Sequence, residues 1–193
     1  MRSAEFDKEQ VLRNAIALFA SKGFANTSMQ DLKKATGLHP GSIYCAFENK
    51  QGLLVSALEQ YRKDRSVEFQ QLFQQAQSVK AGLKAYLDKT IQDVTSVDNH
   101  CACLSQKAMS EMSQLNEAVE QVISQNIAAW QAGFVQILQT AIDNGEISSK
   151  RNASQRASYL VMGLSGIRVF AQSNNDVKVL NELAEQLLED VCR

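Results

Sequence analysis

Residues 27–50, TSMQDLKKATGLHPGSIYCAFENK, carry two short helical patterns separated by a glycine. Thr27 and Ser28 precede the first, and Asp31 stands three residues beyond Ser28, a capping-box spacing with Asp in place of the commoner Glu or Gln. Met29 and Leu32 fall on one side of that helix. Gly37 sits where the helix must end, because glycine enters the left-handed region without a Cβ penalty and lets the chain turn sharply. Leu38 would fill the angle between the helices. Pro40, the only proline in the chain, opens the second helix, where its missing N–H costs nothing and its fixed φ suits the first turn. Ile43 and Phe47, four apart, then point inward. The pattern predicts a helix-turn-helix.

The same register turns His39, Gly41, Ser42, Tyr44 and Cys45 to solvent. Gly41 is a poor helix former, but it lets the backbone come close to another surface, and N–H groups at a helix start attract phosphate oxygens. A recognition helix enters a major groove in this way. Thr27, Ser28, Ser42, Tyr44 and Lys50 are expected to grip phosphates, and His39, Pro40, Gly41 and Cys45 to lie nearer base edges. No Arg, Asn or Gln stands on that face to make bidentate base contacts, so the preferred DNA sequence is not legible. A three-helix scaffold with no nucleic-acid role is the plain alternative.

Gly23-Phe24, Thr27-Ser28-Met29, Gly37 and the run Gly41-Ser42-Ile43-Tyr44 through Phe47 with Lys50 resemble the TetR family of bacterial repressors. The resemblance covers roughly the first third of the chain in specific residues and the remainder in length and helical pattern. It implies a homodimeric DNA-binding regulator that a ligand releases from a palindromic operator. Cys45 departs from the bulkier or more polar residue that the resemblance leads one to expect there.

Composition fits this reading. Nine glycines and one proline in 193 residues disfavour a sandwich or barrel. No apolar run is long enough to span a bilayer, and the start MRSAEFDKEQ lacks the apolar core of a signal peptide, so a cytoplasmic protein without membrane contact is expected. The net charge of −1 hides an asymmetry: residues 1–65 hold ten Lys/Arg against seven Asp/Glu, and the rest hold ten against fourteen. Basic charge is concentrated where phosphate neutralisation would need it. The four cysteines form no CxxC pair and read as reduced thiols. His100, Cys101 and Cys103 lack a fourth ligand for a metal. With no phosphate loop, and no Ser or Asp partner evident for either histidine, neither an enzyme nor a cofactor is expected.

Around the helix-turn-helix, Leu12, Ala15, Ile16 and Phe19 form the stripe of a first helix from about Asp7 to Lys22, ended by Gly23, with Phe24 folding back as an anchor. Asn49 is a good N-cap for a fourth helix carrying Leu54, Ala57, Leu58 and Tyr61. Its stripe continues through Phe69, Leu72, Phe73 and Ala76 beneath the glutamines of 70–77, and no Gly/Ser/Pro linker intervenes, so two coupled domains are expected, 1–50 for DNA and 51–193 for ligand and dimerisation. Further helices follow: one with Leu83, Leu87, Ile91 and Val94, a short one with Leu104, Ala108 and Met112, and a long one from about Asn116 to Asn144. Two more are drawn from about Ala153 to Ala171 and from about Asp176 to Cys192. The whole reads as an all-α chain of about nine helices.

Three further expectations concern the larger domain. Tyr86, Cys103, Met109, Met112, Trp130, Phe134 and Phe170 are candidates for an apolar cavity that takes a hydrophobic or aromatic effector. Leu160, Gly163, Leu164, Gly166, Leu180, Leu183 and Leu187 on the last two helices are candidates for a homodimer interface, since the stripe is broader than one neighbour needs. Ala102-Cys103-Leu104 with Glu111 resembles a small-Cys-Leu signature in the effector domain of some family members. A thiol-switched repressor using Cys103 or Cys101, with Lys107 available to lower a thiol pKa, is the alternative regulator. A helical protein-interaction module without DNA binding is the alternative from another class.

Overall fold

A computed structural model describes residues 6–96, 111 and 117–193. Among these, eight helices and no strands are found: α1 (Lys8–Lys22), α2 (Met29–Thr36), α3 (Pro40–Phe47), α4 (Lys50–Gln75), α5 (Val79–Thr95), α6 (Glu117–Asp143), α7 (Ala153–Phe170) and α8 (Val177–Cys192). The short helix expected around Leu104 lies outside the described residues. No described helix is long and apolar enough to cross a membrane.

Two compact units divide the chain, residues 1–65 with 100–126, and residues 66–99 with 127–193. In the first, the Asp7 carboxylate accepts from the Gln10 N–H to start α1, which buries Val11, Leu12, Ala15, Ile16, Phe19 and Ala20. Leu32 of α2, Ile43 and Phe47 of α3 and Leu53, Leu54, Ala57 and Leu58 of α4 complete this core, with Val119 and Ile123 from the start of α6. The Asn49 side chain accepts from the Gly52 N–H at 2.9 Å and caps α4. Arg13 of α1 grips Asp64 of α4 through two bonds of 3.0 Å each, and Gln60 adds a third to the same carboxylate at 2.8 Å. The Asn126 amide donates to the Leu58 carbonyl at 3.1 Å, so its burial leaves that donor satisfied.

In the second unit, Leu83, Leu87, Ile91 and Val94 of α5 pack with Phe134, Leu138 and Ala141 of α6 and the inner faces of α7 and α8. Gly163 in α7 explains itself here, because a Cβ would meet the Leu187 methyl carbons of α8 at 2.5 Å. Arg156 is fully buried and donates to the carbonyls of Arg151, Ser148 and Val191. It thereby satisfies a carbonyl at the end of α8, where a cation also suits the helix dipole.

Candidate nucleic-acid interface

The turn between α2 and α3 follows from local chemistry. The Ser28 hydroxyl accepts from the Asp31 N–H at 3.1 Å, and the Asp31 carboxylate accepts from the Ser28 N–H at 2.8 Å, closing the capping box. Lys22 approaches the same carboxylate at 2.6 Å. These contacts, that of Lys22 first, hold the Asp31 carboxyl well below the usual carboxylate range. Gly37 ends α2 with φ 74° and ψ −3°, the left-handed conformation its position called for. Pro40 opens α3 with His39 as N-cap, and the His39 carbonyl accepts from the Ser42 and Ile43 N–H groups.

With Ile43 and Phe47 buried, α3 turns His39, Gly41, Tyr44 and Cys45 outward, while Pro40 and Ser42 are half-buried. Tyr44 is 50% exposed, far more than a tyrosine held for packing alone. A Cβ at Gly41 would meet nothing within 4 Å, so the surface there is open to close approach. Exposed Lys33 and Lys34 occupy the last turn of α2, beyond the residues singled out from sequence. The Lys50 ammonium stands over the Phe24 ring, 4.3 Å from its centroid, and burial pushes its pKa down against the nearby charges of Glu111 and Asp31.

Thr27 is a correction to the expected phosphate contacts. It is 2% exposed, and its hydroxyl donates to the Gly23 carbonyl at 2.5 Å. Its N–H donates to the Phe24 carbonyl, so both donors serve the bend between α1 and α2. Ser28 remains exposed, but its hydroxyl donates to Asp31 at 2.6 Å and its N–H is also spent on that cap.

In the second unit, Tyr86, Trp130 and Phe134 do come together, joined by Phe69 and Phe73, which were read from sequence only as a buried stripe of the fourth helix. Phe69 packs edge-on against Phe134 at 5.2 Å between centroids, and Tyr86 stands perpendicular to Phe134 at the same separation, the arrangement aromatic quadrupoles favour. Trp130 Nε1 donates to the Tyr86 hydroxyl at 3.0 Å, and the Arg168 guanidinium lies over the Trp130 ring. Phe170 is a correction: it sits on the surface, 39% exposed. Cys101, Cys103, Met109 and Met112 lie outside the described residues.

Four of the seven expected interface residues need the opposite correction. Leu160, Leu164, Leu180 and Leu187 are buried inside their own unit, and Gly163 faces Leu187. Helical periodicity marks a buried face without saying which element buries it. What remains outside is Leu183 and Gly166, together with Met162, Val169, Phe170 and Val177. Four of these, Met162, Gly166, Val169 and Phe170, recur at helical spacing on one side of α7.

Residues 11–57 match the family model of bacterial regulatory proteins of the tetR family, and residues 79–187 match that of the tetracyclin repressor-like C-terminal domain. The second alone spans more than half of the chain. The HTH-type transcriptional repressor ComR of Escherichia coli (strain K12) is 26% identical over 184 residues, 95% of this chain and 88% of its own length. The uncharacterized HTH-type transcriptional regulator YerO of Bacillus subtilis (strain 168) is 43% identical over 54 residues, 28% of this chain and 19% of its own. Among solved structures, a cysteine mutant of the TetR family transcriptional regulator CifR, complexed with 26-base-pair operator DNA, aligns with a TM-score of 0.83 at 24% identity, over 97% of this chain and 98% of that one. The reduced form of NemR from E. coli aligns at 0.84 and 22% identity, over 95% and 93%. At these identities the structures speak for the fold, and the two family models speak for more: this chain belongs to the TetR family and is a DNA-binding transcriptional regulator, not an enzyme.

Proposed function

We propose that the protein is a homodimeric repressor that occupies a palindromic operator until a small, largely apolar molecule binds its second unit. The observation that carries the DNA half is α3, whose open Gly41, exposed Tyr44 and exposed Cys45 serve no core while Ile43 and Phe47 hold the helix in place. On this reading Ser42, Tyr44 and Lys50 grip phosphates, Ser28 retains a lone pair for a bridging water, and His39, Pro40, Gly41 and Cys45 approach base edges. Residues 1–50 then form the DNA-binding domain and 51–193 the ligand-binding and dimerisation domain.

Dimerisation is supported by the apolar side chains left exposed on α7 and α8, among them Met162 at 61% and Val169 at 58%. Met162, Val169 and Phe170 share one side of α7, and a second copy packed there would take them out of water. A helix-turn-helix protein also reads a palindrome as a pair, with half-sites about 34 Å apart or a multiple of that. Effector binding is supported by the aromatic group of Phe69, Tyr86, Trp130 and Phe134. A ligand that prefers the state with wrongly spaced recognition helices must weaken operator binding, and typical couplings change affinity by roughly 5- to 150-fold.

Selection of duplexes from a random pool, followed by affinity measurement at physiological salt, tests this function. The reading holds if the pool converges on a palindrome bound by a dimer. Failure of any sequence to be enriched, with Tyr44→Ala and Lys50→Ala changing nothing, sinks it.

A further inference from the structure

The carboxylate of Glu111 accepts two consecutive backbone N–H groups on one oxygen, from Phe24 at 2.9 Å and from Ala25 at 3.1 Å. Both belong to the bend between α1 and α2, 87 and 86 residues away along the chain. Gly23, at the head of that bend, has φ +82°, and a Cβ there would collide with the other Glu111 oxygen. Glycine is therefore required by its backbone conformation, and any side chain there would also push the Glu111 carboxylate aside. The Phe24 ring packs on Phe19 at 5.7 Å and carries the Lys50 ammonium above it at 4.3 Å. A chain of contacts thus runs from Glu111 through the bend to a cation on the DNA-binding side. Along the sequence, residues 100–126 of the first unit are flanked on both sides by segments of the second, 66–99 and 127–193.

We propose that Glu111 is a positioning residue for DNA binding, which fixes the bend between α1 and α2 through the Phe24 and Ala25 amides and thereby seats Lys50 on the Phe24 ring. Glu111 touches no DNA in this role. An ionised acceptor makes these bonds about twice as strong as neutral ones, and the loss of both frees the bend, Phe24 and Lys50 together. The inference rests on the reading that the first unit binds an operator.

The test uses the full chain and the duplex that the parent protein selects from a random pool. Glu111→Ala is expected to weaken binding by about tenfold and to accelerate hydrogen exchange at the Phe24 and Ala25 amides. Glu111→Gln keeps a neutral oxygen that both N–H groups can share, and should recover about half of each loss. If Glu111→Ala leaves affinity and both exchange rates as in the parent, the proposal is overturned. It is equally overturned if the Ala and Gln variants lose binding alike and in step with a fall in Tm, the mark of a merely structural residue. A parent protein that selects no duplex at all fails the operator reading itself, an outcome distinct from an unaffected Glu111→Ala in a protein that binds.

Discussion

The Lys50 ammonium lies 4.3 Å from the centroid of the Phe24 ring, a cation seated on an aromatic face with the charges of Glu111 and Asp31 nearby. Such a charge is oriented by the ring, and half-buried Lys50 leaves a side that a phosphate oxygen can approach. Lys50→Ala should therefore weaken operator binding by a similar factor on every sequence and lower the slope of log affinity against log salt by about one. Fluorescence anisotropy at several salt concentrations checks this; an unchanged slope would remove Lys50 from the phosphate contacts.

Acid should unfold the first unit in a way that depends on Arg13 and Asp64. The Arg13 guanidinium, beside Asp64 through two hydrogen bonds, holds that carboxyl below its ordinary value, and Gln60 helps. A depressed folded-state pKa stabilises above the unfolded value of about 3.9 and loses that contribution as pH falls through the folded value. Tm should thus decline below about pH 4, and Asp64→Asn should lower Tm at pH 7 while flattening the acid decline. Thermal unfolding from pH 7 to 2 measures both.

The helix-turn-helix was legible in the sequence because its causes are local. Ser28 and Asp31 are three residues apart, Gly37 needs only its own positive φ, and Pro40 acts on its own first turn. What escaped was long-range. Thr27 next to Ser28 reads as a second outward hydroxyl until the Gly23 carbonyl is seen to take it. The stripe of Leu160, Leu164, Leu180 and Leu187 says that a face is buried, and only the packing of α7 on α8 says by what. Glu111 was noted for its neighbours in sequence, whereas its partners are more than eighty residues away.

Gly163→Ala should destabilise the second unit by about 1–3 kcal/mol, because the added carbon enters space held by the methyl groups of Leu187, itself only 7% exposed. The intrinsic gain in helix propensity, about 1 kcal/mol, does not offset that collision unless Leu187 has somewhere to go. Gly163→Ala/Leu187→Ala should accordingly lose less than the sum of the single changes. A double-mutant cycle by urea unfolding gives the coupling, and strict additivity would show that the two residues do not meet.

Truncation of Arg156 should cost about 3 kcal/mol, since a fully buried side chain is lost and three carbonyls lose their donor. Arg156→Lys should rescue only part, because an ammonium cannot reach three divergent acceptors with a planar fork. The signature is a lower urea midpoint with an unchanged m-value. An Arg156→Ala protein as stable as the parent would mean that water serves those carbonyls equally well.

Trp130 is the only tryptophan in the chain, and it lies where an effector is proposed to bind, with its indole N–H on the Tyr86 hydroxyl, its ring against Phe134 and the Arg168 guanidinium above. Any apolar ligand that enters among these rings must displace at least one of those contacts, so intrinsic fluorescence should report occupancy directly. Titration with ligands that release operator DNA should change Trp130 emission with the same midpoint as the loss of DNA binding, while Tyr86→Phe should alter the starting spectrum by freeing the indole N–H. Tyr86→Ala, which opens the aromatic group, should weaken such ligands without weakening operator binding by the empty protein. A ligand that releases DNA while leaving Trp130 emission constant would place the effector elsewhere in the molecule.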